Sequence, residues 1–125
     1  MSSEKRCLDA VPVLRAADYP RSRDFYTKVL GYSIIEEGGE PPRFGIFRRE
    51  GSLIYVDAWL GGPASEQKGW NIYVHVTDLE GLLEEFRTAG AEITRQIEVT
   101  AYGMREFELK DPDGNTICFG IDASK

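Results

Sequence analysis

The feature that most constrains this chain is an order of signals that occurs twice. Asp18 precedes an apolar stripe of Phe25, Tyr26, Val29 and Leu30 that closes at Gly31, and Asp78 precedes Leu79, Leu82, Leu83 and Phe86, closing at Gly90. Aspartate caps the free N–H groups of a first helical turn, apolar residues three and four apart share a helical face, and glycine accepts the left-handed backbone of a helix end. Each segment therefore predicts an amphipathic helix. The two aspartates stand 60 residues apart and the two glycines 59. The turns that begin at Arg48 and Asp111 stand 63 apart. Three landmarks in register predict a duplicated unit. The alternative, an unrelated ferredoxin-like α+β domain of eight strands, leaves that register to coincidence.

Strand signals surround both helices. Residues 8–15 read as a strand that contains Pro12, which has no N–H for a ladder, so this strand belongs at a sheet edge or in an exchanged arm. Pro20 falls in the first helical turn, where the missing N–H is harmless. Residues 32–37, 44–49 and 53–60 follow as strands, the last two joined by Glu50-Gly51. Residues 61–69, with Gly61-Gly62-Pro63-Ala64-Ser65, read as a linker. Residues 71–76, 92–97, 104–110 and 116–121 repeat the pattern, with Asp111-Pro112-Asp113-Gly114 as a strong turn. The prediction is an α+β chain, one domain over 1–125, with one βαβββ repeat at about 7–60 and a second at about 70–121.

Composition limits the function. The 125 residues are 42% apolar, enough for one core, and the net charge of -6 disfavours phosphate backbones and anionic membranes. No segment approaches the roughly 18 apolar residues of a membrane span, and Met1–Arg6 leads into no apolar run, so the expected location is the cytoplasm. Cys7 and Cys118 lack metal or redox spacing and read as reduced apolar packers.

The chemistry-bearing residues form no catalytic motif. His75, the sole histidine, shares a strand face with Asn71 and Tyr73. Asp57, Glu106, Glu108 and Cys118 lie in strands, but their spacing picks out no metal set. No Gly-x-Ser-x-Gly elbow occurs, and Gly61-Gly62 is too short for a phosphate loop. The runs Glu36-Glu37 and Glu84-Glu85 read as solvated faces. The aromatics are more informative: Trp59, Trp70 and Tyr102 sit at strand ends or in loops, where rings in a cleft suit stacking on a flat ligand.

Two segments carry a family resemblance. Tyr102-Gly103-Met104-Arg105-Glu106-Phe107, running to Asp111-Pro112-Asp113-Gly114-Asn115, resembles the C-terminal signature of the vicinal-oxygen-chelate superfamily. Ala10-Val11-Pro12-Val13-Leu14, with Asp18, Phe25-Tyr26 and Leu30-Gly31, resembles its N-terminal signature. That superfamily includes glyoxalase I, extradiol dioxygenases, fosfomycin-resistance enzymes and bleomycin-resistance proteins. The resemblance implies two βαβββ repeats forming a half-open, eight-stranded, barrel-like sheet in a dimer. Metal-using members carry a His in the first strand of each repeat and a Glu in the last. Counting from the landmarks, those positions fall here on Val11, Asn71, Cys118 and a residue near Tyr55, a set unsuited to a metal. The metal-free bleomycin-resistance branch is similar in this respect and in its N-terminal Ala-Val-Pro-Val-Leu. Its members sequester an antibiotic in grooves between two subunits, and its Trp-Gly before the Arg-Glu-Phe strand is matched by Tyr102-Gly103.

The expectation is thus a homodimeric small-molecule binding protein that sequesters a flat or cationic compound such as a bleomycin-type antibiotic, with no metal, cofactor or catalytic residue. The candidate ligand-binding residues are Tyr55, Asp57, Trp59, Trp70, Asn71, Tyr73, His75, Tyr102, Glu106 and Cys118, with the aromatics stacking and Asp57 and Glu106 facing cationic groups. The rival is a lyase-, isomerase- or dioxygenase-like enzyme that uses His75 with Asp57 or Glu106 as acid and base, with a non-standard metal site or none. A third reading is a protein-binding module without a small ligand.

Overall fold

The computed structural model describes residues 4–59 and 69–125, so Leu60 and the expected linker, apart from Gly69, lie outside the described residues. The first repeat comprises β1 (Val13–Arg15), α1 (Tyr19–Asp24) running on into a π-helical turn (Phe25–Val29), β2 (Ser33–Gly38), β3 (Phe44–Arg49) and β4 (Ser52–Asp57). The second comprises β5 (Ile72–His75), α2 (Leu79–Thr88), β6 (Glu92–Val99), β7 (Met104–Lys110) and β8 (Thr116–Asp122). In each repeat the first strand pairs in parallel with the fourth, which gives the orders β1-β4-β3-β2 and β5-β8-β7-β6. The expected βαβββ pair is therefore present, its eight strands hydrogen-bonding as two open four-stranded sheets. Val13 stands opposite Tyr55, and Tyr73 opposite Cys118. These pairings are the two repeats in the register that the landmarks give.

Local chemistry accounts for the boundaries. Asp18 accepts a hydrogen bond from Arg21 N–H at 3.2 Å and Asp78 from Gly81 N–H at 3.1 Å, so both predicted caps operate. Gly31 and Gly90 close the two helical segments at φ of +74° and +94°. The first strand is shorter than residues 8–15. Pro12 contributes only its carbonyl, which accepts from Tyr55 N–H at 3.0 Å, and regular pairing begins after it. β1 is an edge strand, as the proline requires.

Both repeats feed one core. Tyr26, Leu30, Phe47, Ile54 and Val56 of the first pack in the same cluster as Leu79, Phe86, Phe107, Leu109, Ile117 and Phe119 of the second. Polar ties fix the two halves against each other. The turn between β7 and β8 carries Asp111, whose Oδ1 accepts from the N–H groups of Asp113 and Asn115 at 2.9 and 2.8 Å. Its Oδ2 accepts from Tyr26 O–H and from the Asn115 amide, both at 2.8 Å. The same amide donates to the Arg15 carbonyl at 3.1 Å. Asp113 accepts from Ala17 N–H at 2.9 Å, Ser22 O–H at 3.1 Å and Arg21 at 3.0 Å. On the other side, Arg49 donates to the Leu30 carbonyl at 2.9 Å and to both oxygens of Glu85 on α2, and lies over Phe86. The turn of each half thus grips the helical segment of the other.

Burial pushes the Asp111 carboxyl above its ordinary value, opposed by the hydrogen bonds from Asn115 and Tyr26. All four groups that meet it are donors, so a carboxylate alone fits. Asp111→Ala is expected to lower the unfolding free energy by about 2–4 kcal/mol, because buried donors lose their acceptor. Asp111→Asn should rescue little of this, since its amide N–H would face a donor. Urea denaturation of the three proteins checks the order.

Candidate functional site

Strand alternation sends one face of each second-repeat strand to the core and the other outward. Ile72 and Val74, Phe107, and Ile117 and Phe119 belong to the core side. Tyr73 and His75, Glu106 and Glu108, and Cys118 and Gly120 are therefore on the opposite side. Trp70, before β5, joins them, as does Tyr102 from the turn between β6 and β7.

The rings form a ladder across the sheet edge. Trp70 meets Tyr73 edge-on with centroids 4.8 Å apart, Tyr73 lies 4.9 Å from His75, and Trp70 lies 6.4 Å from Tyr102. Trp70 is 40% exposed and Tyr102 60%, so both retain open ring surface. Below them sits Glu106, fully buried. Its carboxylate accepts from Tyr73 O–H at 2.8 Å, from Arg95 at 2.8 Å and from Tyr102 O–H, which reaches both oxygens at 2.8 Å. Arg95 also donates to Glu108 at 3.0 and 2.7 Å and to Glu98 at 2.6 Å. Trp70 donates its indole N–H to Glu108 at 3.2 Å.

The electrostatics follow from this network. Burial raises the Glu106 carboxyl, but the hydrogen bonds from Arg95, Tyr73 and Tyr102 outweigh it and hold the group below its ordinary value. Burial and the bonded Glu106 push both tyrosine hydroxyls up. Cys118, also fully buried, is pushed up to about 12 by burial and by the charges of Glu106 and Glu108. It is a neutral thiol at physiological pH and no nucleophile.

Sequence reasoning placed Glu106 against a cationic group. The structure supplies that cation from the chain itself, as Arg95. Arg95 was missed because β6 shifts register between Ile93 and Arg95 and again between Arg95 and Glu98. Those bulges place it opposite Glu108 in a way that counting alternate residues does not give. Gly120 was missed as well. A Cβ there would stand 1.9 Å from the Tyr73 hydroxyl oxygen, so the absent side chain is what lets Tyr73 lie across β8 and reach Glu106.

The first-repeat candidates gather separately. Tyr55 packs edge-on against Phe44 at 5.5 Å, Trp59 lies under Arg43 at 4.6 Å, and Asp57 accepts from Trp59 N–H at 2.9 Å. Each of these contacts stays within the first repeat. Asp57 thereby closes the end of its own strand. Asn71 is likewise engaged, its side-chain oxygen accepting from Thr116 N–H at 2.8 Å where β5 meets β8. A cleft of about 1180 Å³ between β5, α2 and residues 9–12 borders Asn71, Tyr73 and His75, but Trp70, Tyr102 and Glu106 do not line it. The concentration of rings and carboxylates, rather than this cleft, marks the candidate site.

The positions that hold a metal in the resembled enzymes do not fit one here. Val11 is a hydrocarbon, the Asn71 oxygen is committed, Tyr55 offers a ring packed on Phe44, and the Cys118 thiol keeps its proton. Among the described residues no group of three or more His, Cys, Asp or Glu side chains is placed to hold a metal ion.

The sequence profile of the glyoxalase/bleomycin resistance protein/dioxygenase superfamily matches residues 10–119. The chain belongs to this superfamily. Among solved structures, the bleomycin-binding protein of the bleomycin-producing Streptomyces verticillus, complexed with copper(II)-bleomycin, is 27% identical, with a TM-score of 0.70 over 93% of this chain and 97% of that one. A superfamily member from Sphaerobacter thermophilus is 21% identical, with a TM-score of 0.75 over 93% and 98%. TioX from Micromonospora is 19% identical, with a TM-score of 0.74 over 90% and 96%. The last two likenesses establish the fold alone. Among curated proteins, no sequence matches this superfamily member.

The wedge of Tyr73 on Gly120 generates a test. Gly120→Ala is expected to destabilise the protein by about 1–3 kcal/mol, through the clash and the lost bond to Glu106. In a Tyr73→Ala background the same substitution should cost much less, because its clash partner is gone. A double-mutant cycle in chemical denaturation measures the difference.

Proposed function

We propose that this superfamily member is a metal-free binding protein that sequesters a flat, cationic organic compound, of the kind a bleomycin-type antibiotic represents, without altering it chemically. The observation that carries this reading is the ring ladder Trp70–Tyr73–His75 with Tyr102, set over the Glu106–Arg95–Glu108 network. Ring faces attract flat rings and cations, each contact contributing roughly 0.5–2 kcal/mol. The charge distribution supports it too. The first 60 residues carry nine basic and nine acidic side chains, whereas the remaining 65 carry six and twelve, so the whole net charge of -6 belongs to the half with the ladder. Such a field raises the local concentration of a cation. The likeness to the Streptomyces bleomycin-binding protein points the same way. Acid–base chemistry has less support: Glu106 is saturated with donors, and Asp57 is bonded to its own strand end.

The proposal includes a homodimer in the cytoplasm. In such a dimer the ladder would form one wall of a groove that a second copy completes. Val13, Ile34, Ile35 and Trp59 of the first repeat are 43–54% exposed, apolar side chains on both edges of the first sheet that contact with a second copy would cover. A groove shared between copies would also bring the first-repeat candidates to a ligand. No helix among the described residues is long and apolar enough to cross a membrane.

Titration calorimetry with a bleomycin-type glycopeptide tests the reading. A dissociation constant near micromolar is expected, about -8 kcal/mol. Trp70→Ala and Tyr102→Ala should each weaken it by about 3–30-fold. Light scattering should give a mass near twice 14.1 kDa, and mass spectrometry should recover the ligand unchanged. Unaltered affinity in both variants would exclude the stacking groove, and a modified ligand would make the protein an enzyme.

A further inference from the structure

Glu106 is a buried carboxylate whose three donors are held very differently. Tyr73 is wedged over Gly120 from β5. Arg95 is gripped at the same time by Glu98 and Glu108. Neither can leave without breaking other contacts. Tyr102 stands on the turn between β6 and β7, is 60% exposed, and meets Trp70 at a centroid distance of 6.4 Å. Of the three donor residues Tyr102 alone is exposed, Tyr73 and Arg95 being half-buried.

The turn beneath Tyr102 is tied by its own hydrogen bonds. Thr100 N–H donates to the Met104 carbonyl at 2.7 Å, Gly103 N–H to the Thr100 carbonyl at 3.1 Å, and Met104 N–H to the Thr100 hydroxyl at 3.1 Å. Uncovering Glu106 therefore needs only a rotation of the Tyr102 side chain, which exposed residues make within nanoseconds. Among the described residues Arg95 is the one cation bonded to Glu98, Glu106 and Glu108, so the carboxylates that this rotation would uncover outnumber their paired cation. Replacing a neutral phenol by a charged N–H donor strengthens the bond to a carboxylate.

Resting on the binding function proposed above, we propose that Tyr102 is a displaceable cover on Glu106 and sets the specificity of the site. A protonated nitrogen of the ligand, amidinium or ammonium in type, takes the place of the phenol O–H on the carboxylate while the ligand's flat body lies against Trp70. The site thus selects compounds that join a planar ring system to a cationic donor. A neutral ring system of the same shape has nothing to exchange for the phenol and leaves the cover closed.

The test uses the full chain, with a phenylindole diamidine as the flat cation and its neutral dicarboxamide as the isostere, titrated by fluorescence. Tyr102→Phe keeps the ring and removes only the hydroxyl. The diamidine should bind this variant about three- to tenfold tighter than the wild type, because no phenol bond is broken on entry. The dicarboxamide should bind both proteins equally. Tyr102→Ala, which also removes the ring, should weaken the dicarboxamide more than the diamidine. If the diamidine binds Tyr102→Phe no tighter than the wild type, or if the dicarboxamide tightens by the same factor, Tyr102 acts through its ring alone and the cover is wrong. Failure of the diamidine to bind either protein also overturns the proposal. The bleomycin titration with Trp70→Ala stands or falls independently, so the two failures are distinguishable.

Discussion

The buried carboxylate of Asp111 is the interaction on which the arrangement of this molecule depends. Two four-stranded open sheets, each with a single helical segment, do not by themselves define an orientation toward each other. Apolar packing is non-directional and would tolerate sliding. Four donors meeting two oxygens do not tolerate it. Three of those donors come from the β7–β8 turn and one from the helical segment of the other repeat, so the turn is shaped and docked by the same group. Asp113 and Asn115 extend the contact to the start of α1 and to the end of β1. The Asp-Pro-Asp-Gly-Asn sequence, the most recognisable motif in the chain, is thus a joint between repeats and bonds to none of the side chains of the candidate site.

A second buried carboxylate governs the character of the site. Removing an ion from water costs several kcal/mol, which only close, well-aligned partners offset. Glu106 has them in Arg95, Tyr73 and Tyr102, and among the described residues no buried side-chain nitrogen or oxygen lacks a partner. The acid therefore shapes what surrounds it. It fixes Tyr73 across β8, holds Tyr102 over the sheet, and is answered by Arg95 from β6. What the floor of the site presents to solvent is mainly ring surface, with acidic charge behind it.

The same pattern of residues could have served a metal enzyme had a few side chains differed. The fold offers facing positions on the first and last strands of each repeat, seen here as Val13 opposite Tyr55 and Tyr73 opposite Cys118. These positions present a hydrocarbon, two phenol rings and a neutral buried thiol. Membership of the superfamily fixes the scaffold and leaves function to such local choices.

Much of the fold was determined by the sequence alone, because the signals behind it are local. Helix caps at Asp18 and Asp78, left-handed glycines at 31 and 90, and a proline that forbids a central strand all act within a few residues. Duplication then multiplied these short-range signals into an architecture. The site was only partly legible. Alternation along β5 put Tyr73 and His75 on one face, since a period of two survives wherever a strand is regular, but that β7 and β8 add Glu106 and Cys118 to that face follows only from strand pairing. Alternation could not reveal that Arg95 would answer Glu106, because bulges in β6 break that period. Nor could it separate Tyr55, Asp57 and Trp59 from the second-repeat cluster, because their neighbours are set by which sheet they join. The role of Gly120 was invisible for a related reason. An absent side chain acquires meaning only when tertiary packing brings a ring, here that of Tyr73, into the space it leaves.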